Sequence, residues 1–210
     1  AIKRLSPELI VVGSFDQIIP DDIISIPRFG VINVHPSLLP KYRGATPTAW
    51  VLLNGEEETG VTVHFIEDSN IDSGRIIAQA RLNINHSDND GILRYRLAVL
   101  SEDVLLDAIN MILTTDKTRF TTQNEAEATY YPKRTLNDAE IDPRKTFKEI
   151  ANRIKAMTPY PGAFILCGDN RYVVKSAELI EDKGLFNAPQ MGEGYLLLDT
   201  LEGPVKFYTL

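Results

Sequence analysis

The chain has 210 residues, of which 43% are hydrophobic and 24% charged, so it is long enough for one large domain or two small ones. Its net charge of −7 counts against a surface made to hold nucleic-acid phosphates, although a local basic patch could exist within an acidic average. No apolar run approaches the roughly 20 residues of a membrane span. The single cysteine, Cys167, excludes an internal disulfide. We therefore expect a cytoplasmic protein with no membrane partner and no signal peptide at residues 1–5.

The first part of the chain predicts alternating strands and helices. An apolar run without a polar break indicates a buried parallel strand within residues 7–14. The next predicted elements are a short helix, a β-branched strand, a second helix and two further strands, at residues 21–26, 31–34, 45–53, 61–66 and 76–82. Apolar residues recurring near every 3.6 positions predict a long helix over residues 89–114.

The second part of the chain predicts a small β-rich domain. Residues 114–128 are polar and are interpreted as a link between a domain at residues 1–120 and a domain at residues 121–210. A helix is predicted over residues 146–156. Short alternating strands with Gly, Asp and Asn turns then follow, at residues 164–167, 171–179, 195–199 and 205–208, which is typical of a small β-barrel.

The most informative segment reads Val-Ile-Asn-Val-His-Pro-Ser-Leu-Leu-Pro-Lys-Tyr-Arg-Gly at residues 31–44. One residue separates Asn33 from His35, so a strand points both side chains to the same side. Ligands bind at the carboxyl ends of strands in open α/β sheets. A surface loop with an idle histidine is the alternative. The next predicted strand argues against it, because that strand leads to a carboxylate, Asp72, in Ile-Asp-Ser-Gly.

The ordered pattern Asn-x-His-x-Ser-Leu-Leu-Pro, then Thr-Gly-Val-Thr, then Asp-x-Gly resembles the folate-dependent formyltransferase family. The resemblance implies transfer of a formyl group from 10-formyltetrahydrofolate to an amine, with Asn33, His35 and Asp72 as the catalytic residues. The family members compared have one residue fewer between the Val-Thr-Val strand and the aspartate, so the extra residue, within 67–70, changes this loop.

The resemblance also implies a fold of the α/β class. The expected architecture is the C-terminal half of a doubly wound, Rossmann-like domain followed by a small open β-barrel of the OB-like kind. From the resemblance we expect that the family's N-terminal half-domain is missing from this chain. We interpret the chain as a fragment or a trimmed sequence, or as a short variant that completes its sheet by another route.

Formyl transfer poses three chemical tasks: the amine must be neutral, the oxyanion needs a donor, and the leaving nitrogen needs a proton. His35 suits the proton work because an unperturbed imidazole has a pKa of about 6.5. The amide of Asn33 suits the oxyanion, and Asp72 would hold the imidazole and favour its charged form. Each residue taken alone could instead cap a turn.

Further positions follow from the same resemblance. The folate pterin is expected between two segments, one with Phe15, Ile18, Ile19 and Pro20 and the other with Glu67, Asp68, Ser69, Asn70 and Ile71. Core packing of the two isoleucines at 18 and 19 stays open.

Three polar residues near the motifs allow two interpretations each. Ser37 could bind substrate or cap its loop, and Arg43 could bind an anionic part of the acceptor or lie on the surface. His64, inside an apolar strand, is interpreted as a structural histidine rather than a catalytic one. Three histidines and one cysteine give no metal-ligand spacing, so no metal is predicted.

The acceptor amine is expected on a small molecule. Residues 42–50 and 131–134 look most like those of enzymes acting on nucleotide-linked amino sugars, and the acidic balance agrees. Methionyl-tRNA is the second candidate, whereas residues 130–210 argue against the one-domain glycinamide ribonucleotide branch. Two other functions remain open, a hydrolase that releases formate and a catalytically incomplete binding module. The chain could also form a homodimer.

Overall fold

The computed structural model describes residues 2–15, 17–180 and 189–210. These residues form two compact units. Unit 1 consists of residues 1–48, 57–85 and 94–133, and unit 2 of residues 49–56, 86–93 and 134–210. The fold contains both α-helices and β-strands. Within the described ranges, no helix is both long enough and apolar enough to cross a membrane.

Unit 1 is built on a four-stranded sheet in the order β1-β2-β4-β5. The elements along residues 2–131 are α1 Ile2–Leu5, β1 Ile10–Gly13, α2 Asp21–Ile24, β2 Val31–His35, β3 Arg43–Gly44, α3 Pro47–Leu53, β4 Glu58–Ile66, β5 Ile76–Asn83, α4 Asp90–Thr114 and β6 Tyr130–Tyr131. Residues 49–53 of α3 and 90–93 of α4 belong to unit 2, and the other elements to unit 1. These bounds agree closely with the predicted elements. The strands β3 and β6, of two residues each, were not predicted.

The sheet is mixed rather than parallel. Strand β1 pairs in parallel with β2, whereas β2–β4 and β4–β5 are antiparallel. The expectation that β1 is buried is wrong, because β1 lies at one edge of this sheet and Val11 is 45% exposed. Its residues therefore alternate between a half-buried and an exposed face.

The long helix α4 packs as its periodicity predicts. Leu97, Val104, Ala108 and Ile112 follow one another at helical spacing and are all buried. Elsewhere in unit 1, the rings of Phe65 and Phe120 lie 5.4 Å apart between centroids. The buried apolar side chains of β2 and β4 include Val31, Ile32 and Val63. This core supports the sheet face on which the candidate site lies.

Unit 2 contains α5 Phe147–Ala156 and an antiparallel sheet in the order β7-β8-β11-β10-β9. Its strands are β7 Phe164–Cys167, β8 Asn170–Leu179, β9 Gln190–Gly192, β10 Tyr195–Thr200 and β11 Gly203–Thr209. Thr146 and Glu149 form a capping box that starts α5. The predicted strands are present and β9 is additional. The barrel assignment stays a prediction.

Candidate active site

The strand register brings four polar side chains to one face of the unit 1 sheet. Asn33 lies directly opposite His64, and His35 lies opposite Thr62. Opposed residues of antiparallel strands point to the same side, and alternate residues of one strand do so too. Asn33, His35, Thr62 and His64 therefore share a face, which the single-strand pattern at Asn33 and His35 predicts only in part.

Asp72 reaches this face because its loop turns back over the sheet. Since β4 runs antiparallel to β2, its end at Ile66 lies beside Val31, the start of β2. Asp72 therefore reaches the end of β2 from this loop and not directly from the carboxyl end of β4. Residues 67–75 reverse the chain, and Asp72 adopts a positive φ of 51° within that reversal. An aspartate tolerates this left-handed conformation better than most residues.

The carboxylate of Asp72 has four polar neighbours in unit 1. Its Oδ2 accepts a hydrogen bond from the backbone N–H of Gly44 at 2.9 Å and lies 3.5 Å from Nδ1 of His35. Its Oδ1 accepts from Nδ2 of Asn33 at 3.3 Å and lies 3.4 Å from Nε2 of His64. The structure thus brings Asn33, His35 and Asp72 together and adds His64 to them.

These neighbours set the charge state of Asp72. Burial alone would raise its pKa, but the neighbouring imidazoles of His64 and His35 and the hydrogen bond from the N–H of Gly44 together lower the pKa to about 2. Its side chain is 12% exposed, so these interactions are only weakly screened by water. Asp72 is a carboxylate at neutral pH.

The imidazole of His35 is buried and oriented by the loop that follows β2. Its Nε2 lies 2.8 Å from the carbonyl oxygen of Tyr42. A carbonyl only accepts, so Nε2 carries the hydrogen and Nδ1 faces Asp72. Burial lowers the pKa of His35 below 6.5, against the raising effects of Asp72 and the Tyr42 carbonyl. At neutral pH the ring is therefore uncharged, with its Nδ1 lone pair turned toward the carboxylate.

His64, which the sequence interpretation treated as a structural histidine, is buried and also contacts Asn33 and Asp72. Its Nδ1 donates to the carbonyl of Phe65 at 2.8 Å, which leaves Nε2 as an acceptor in the neutral ring. Nδ2 of Asn33 lies 3.2 Å from that Nε2. Both amide hydrogens of Asn33 are therefore engaged, one with His64 and one with Asp72. The contact between Asn33 and His64 follows from their opposed positions in β2 and β4, and finding it requires the register of the two strands.

A two-stranded pairing holds the loop that contacts both His35 and Asp72. Strands β3 and β6 pair in parallel, with Arg43 opposite Tyr130 and Gly44 opposite Tyr131. Gly44 has a φ of +98°, and a Cβ there would lie 2.3 Å from the carbonyl oxygen of Tyr131. Only glycine can adopt this φ and lie so close to the Tyr131 carbonyl. In this position the N–H of Gly44 points at Asp72.

Ser37 and Arg43 are both buried. Oγ of Ser37 donates to the carbonyl of Lys41 at 2.8 Å, which favours its loop-capping alternative. Arg43 is 8% exposed, so the surface alternative is wrong. Its guanidinium forms hydrogen bonds with Gln123 and Glu125. A substrate role for either residue stays a prediction.

The residues expected to hold folate are mostly exposed. Phe15 is 57% and Ile18 63% exposed, so Ile18 does not pack in the core. Ile19 is half-buried and Pro20 exposed, and the segment Glu67 to Ile71 is exposed throughout. Gly13, at the end of β1, pairs with Val34, so the loop containing Phe15 starts beside His35.

A cleft of about 670 Å³ opens beside the Asp72 loop. Its lining includes hydroxyl and amide groups together with the ring of Tyr130, from the residues Arg43, Ser69, Asn70, Ile71, Ser73, Glu125, Ala128, Thr129 and Tyr130. This volume is in the range of small-molecule sites. In the ranges 2–15, 17–180 and 189–210, no group of three or more His, Cys, Asp or Glu side chains is arranged to hold a metal ion.

Two family models match the sequence. The formyl transferase model matches residues 1–109, and the model of the formyl transferase C-terminal domain matches residues 133–202. The methionyl-tRNA formyltransferase of Syntrophus aciditrophicus is 35% identical over 215 residues, covering 96% of this chain and 68% of the relative. That of Clostridioides difficile is 36% identical over 182 residues, covering 87% of this chain. The chain spans 58% of this second relative's length.

Solved structures agree with these matches. The N-formyltransferase from Helicobacter canadensis, in complex with folinic acid and dTDP-3-aminofucose, has a TM-score of 0.75 at 24% identity and covers 100% of this chain and 78% of its own. A Mycobacterium tuberculosis protein inferred to be a sugar N-formyltransferase has a TM-score of 0.67 at 25% identity, covering 84% and 75%. The likeness to the Helicobacter canadensis structure shows the fold of this chain. On the family models and the identity to the first relative, this chain belongs to the folate-dependent formyltransferase family.

Proposed function

We propose that this chain contains the catalytic centre of an enzyme that transfers a formyl group from 10-formyltetrahydrofolate to an amine. The observation that supports it is the meeting of an amide, an imidazole and a carboxylate on one sheet face. Asn33 lies 3.3 Å and His35 3.5 Å from the carboxylate of Asp72. These groups match the three tasks of formyl transfer, which are proton removal, oxyanion stabilisation and protonation of the leaving nitrogen.

In this proposal His35 handles the protons. Its neutral ring offers a lone pair at Nδ1 that accepts a proton from the attacking amine. The resulting imidazolium is stabilised by the carboxylate of Asp72 and then returns a proton to the leaving folate nitrogen. Nε2–H keeps donating its hydrogen bond to the Tyr42 carbonyl, which keeps the ring oriented.

Asn33 would stabilise the negative oxygen that develops as the amine attacks. Its amide hydrogens contact His64 and Asp72, so one of them must be released to the oxyanion during the reaction. A donor preorganised in this way typically contributes roughly 3–4 kcal/mol to lowering the barrier.

The exposed side chains near β1 fit the co-substrate. The ring of Phe15 and the branched side chain of Ile18 give an apolar surface that suits the flat pterin. Glu67 to Ile71 would provide the opposite wall, with polar groups for the ring edge. Both segments belong to unit 1, and Ser69, Asn70 and Ile71 of the second segment also line the cleft.

For the acceptor we propose a nucleotide-linked amino sugar. The net charge of −7 and the cleft lined by hydroxyls and the Tyr130 ring favour a small polar acceptor with a stackable face. The similarity to the Mycobacterium tuberculosis protein points the same way. Methionyl-tRNA is the second candidate, because curated relatives at 33–40% identity act on it by name.

The test is an acceptor panel with purified protein and 10-formyltetrahydrofolate. Parallel reactions contain dTDP-linked amino sugars, methionyl-tRNA or no amine, and formylated product and free formate are measured by mass spectrometry. We expect amide product with an amino sugar and none without an amine. If product forms only with methionyl-tRNA, methionyl-tRNA is the acceptor and the amino-sugar proposal is wrong. Formate without any amine would indicate a hydrolase, and folate binding without turnover would indicate a binding module.

A further inference from the structure

Gln123 is a buried amide that links the catalytic loop to the rest of unit 1. The residue is 6% exposed. Nε2 donates to the backbone carbonyls of Asp72 at 2.8 Å and Gly74 at 2.7 Å. Oε1 accepts from Nε of Arg43 at 3.1 Å and from Nη2 at 2.9 Å. One side chain thus contacts the loop of Asp72 and Arg43 of strand β3, the strand that also contains Gly44.

Only an amide of this length fits the position. Both hydrogens of Nε2 point at carbonyl oxygens, and both lone pairs of Oε1 face the guanidinium of Arg43, so the hydrogen-bonding capacity of Gln123 is fully used. A glutamate would keep the Arg43 contacts but set an oxygen against two carbonyls. An apolar side chain would leave these half-buried carbonyls without the amide donor.

Arg43, which contacts Gln123, also contacts the exposed carboxylate of Glu125. Glu125 accepts from Nη1 of Arg43 at 2.9 Å and from Nη2 at 2.7 Å, which is the bidentate geometry of strong pairs. Arg43 is fixed on its other side by the β3–β6 pairing. Glu125, Arg43 and Gln123 therefore form a continuous set of hydrogen bonds that ends on the backbone of Asp72.

Asp72 needs such a support. Its φ of +51° is a left-handed conformation, which a non-glycine residue keeps only when its surroundings hold it there. The four contacts of its carboxylate fix the side chain, whereas the two bonds from Gln123 fix the backbone on both sides of Ser73.

We propose that Gln123 is a positioning residue that holds the Asp72 carboxylate against His35. The inference rests on the proposed formyl transfer, since its kinetic consequence requires that reaction. Without the two bonds from Gln123, the loop relaxes and the carboxylate moves away from the imidazole. A displacement on the order of 1 Å can cost about 100-fold in rate, so we expect kcat to fall by at least about tenfold. The KM for the acceptor should change far less, because the cleft walls remain.

The displacement also has a signature that needs no substrate. The negative charge of Asp72 raises the pKa of His35, while burial and the neighbouring His64 lower it. Moving the carboxylate away removes the raising effect, so the pKa of His35 should fall below its wild-type value. Two-dimensional NMR of the imidazole C–H groups follows this titration, with exposed His86 as an internal reference.

The experiment compares Gln123→Met and Gln123→Glu with wild type. The Met variant removes both ends of the support and adds no charge, and the Glu variant keeps the acceptor for Arg43. The matched control is Gln190→Met, which changes an exposed glutamine of β9. Kinetics and thermal melting are recorded for all three, and the His35 titration for the two Met variants and wild type. We expect both Gln123 variants to lose kcat, Gln123→Met to shift the His35 titration downward, and Gln190→Met to match wild type.

The outcomes separate this inference from the proposed function. Wild-type kcat in a folded Gln123→Glu variant would overturn the inference, because the bonds to Asp72 and Gly74 would then be dispensable. So would an unchanged His35 titration in a folded Gln123→Met variant. Absence of formyl transfer by the wild type would overturn the proposed function instead, and a downward His35 shift in Gln123→Met would still support the role of Gln123.

Discussion

The backbone N–H of Gly44 donates a 2.9 Å hydrogen bond to Oδ2 of Asp72, across 28 residues of sequence. This bond joins the loop after β2 to the reversal after β4. It fixes the carboxylate at the point where His35, Asn33 and His64 also converge. Two segments that are unremarkable in isolation therefore produce one polar cluster with a defined charge state.

Removal of the imidazole or the carboxylate should abolish most formyl transfer. We expect His35→Ala and Asp72→Ala each to lower kcat by about 10²–10⁴-fold, the usual contribution of general acid–base catalysis. The control for His35→Ala is His86→Ala, which removes an exposed imidazole. Steady-state kinetics check the result, and circular dichroism checks the fold. Near wild-type turnover by a folded His35→Ala variant would show that the assignment of His35 is wrong.

Asn33→Ala should affect turnover more than folate affinity. The amide acts on the developing oxyanion, so we expect kcat to fall by about 10²–10³-fold while the Kd for the folate stays within a few-fold. Turnover and fluorescence titration of folate binding measure the two quantities. Asn110→Ala, on the exposed side of α4, is the control. A larger loss of folate affinity than of kcat would make Asn33 a folate-binding residue.

The depressed pKa of Asp72 should appear in acid stability. Its folded pKa is lowered from 3.8 to about 2, so the charged form stabilises the fold above pH 3.8 and this contribution is lost as the pH falls toward 2. The difference corresponds to roughly 2 kcal/mol of free energy of unfolding. Urea unfolding at pH 6 and at low pH should show a smaller decrease in Asp72→Asn than in wild type. Asp107→Asn, on the exposed surface of α4, should decrease like wild type.

Gly74→Ala should destabilise unit 1. A Cβ at this position would lie 1.9 Å from the carbonyl oxygen of Phe65, so β4 or the Asp72 loop must shift. We expect a loss of about 1–3 kcal/mol, the usual cost of overpacking, measured by urea unfolding. Gly13→Ala is the matched control, since a Cβ there meets no heavy atom within 4 Å. Equal stability of the two variants would contradict the close approach of Gly74 to β4.

Local periodicity in the sequence predicted much of this arrangement. The alternation of Asn33 and His35 follows from a single strand, and the buried face of α4 follows from a period near 3.6. The edge position of β1 and the place of His64 depend on which strands pair and in which register, and a single sequence does not contain that information. The contacts of Gln123 with Asp72 and of Gly44 with Tyr131 join segments 51 and 87 positions apart, so no local pattern indicates them.

The double engagement of the Asn33 amide has a consequence for inhibitor chemistry. A neutral carbonyl compound must compete with Asp72 and His64 for each hydrogen and gains little from doing so. A compound that carries a negative oxygen on a tetrahedral centre offers a stronger acceptor, and it resembles the species that the amide would meet in catalysis. Ligands of the second kind should therefore discriminate this site from pockets whose amides have no internal partners.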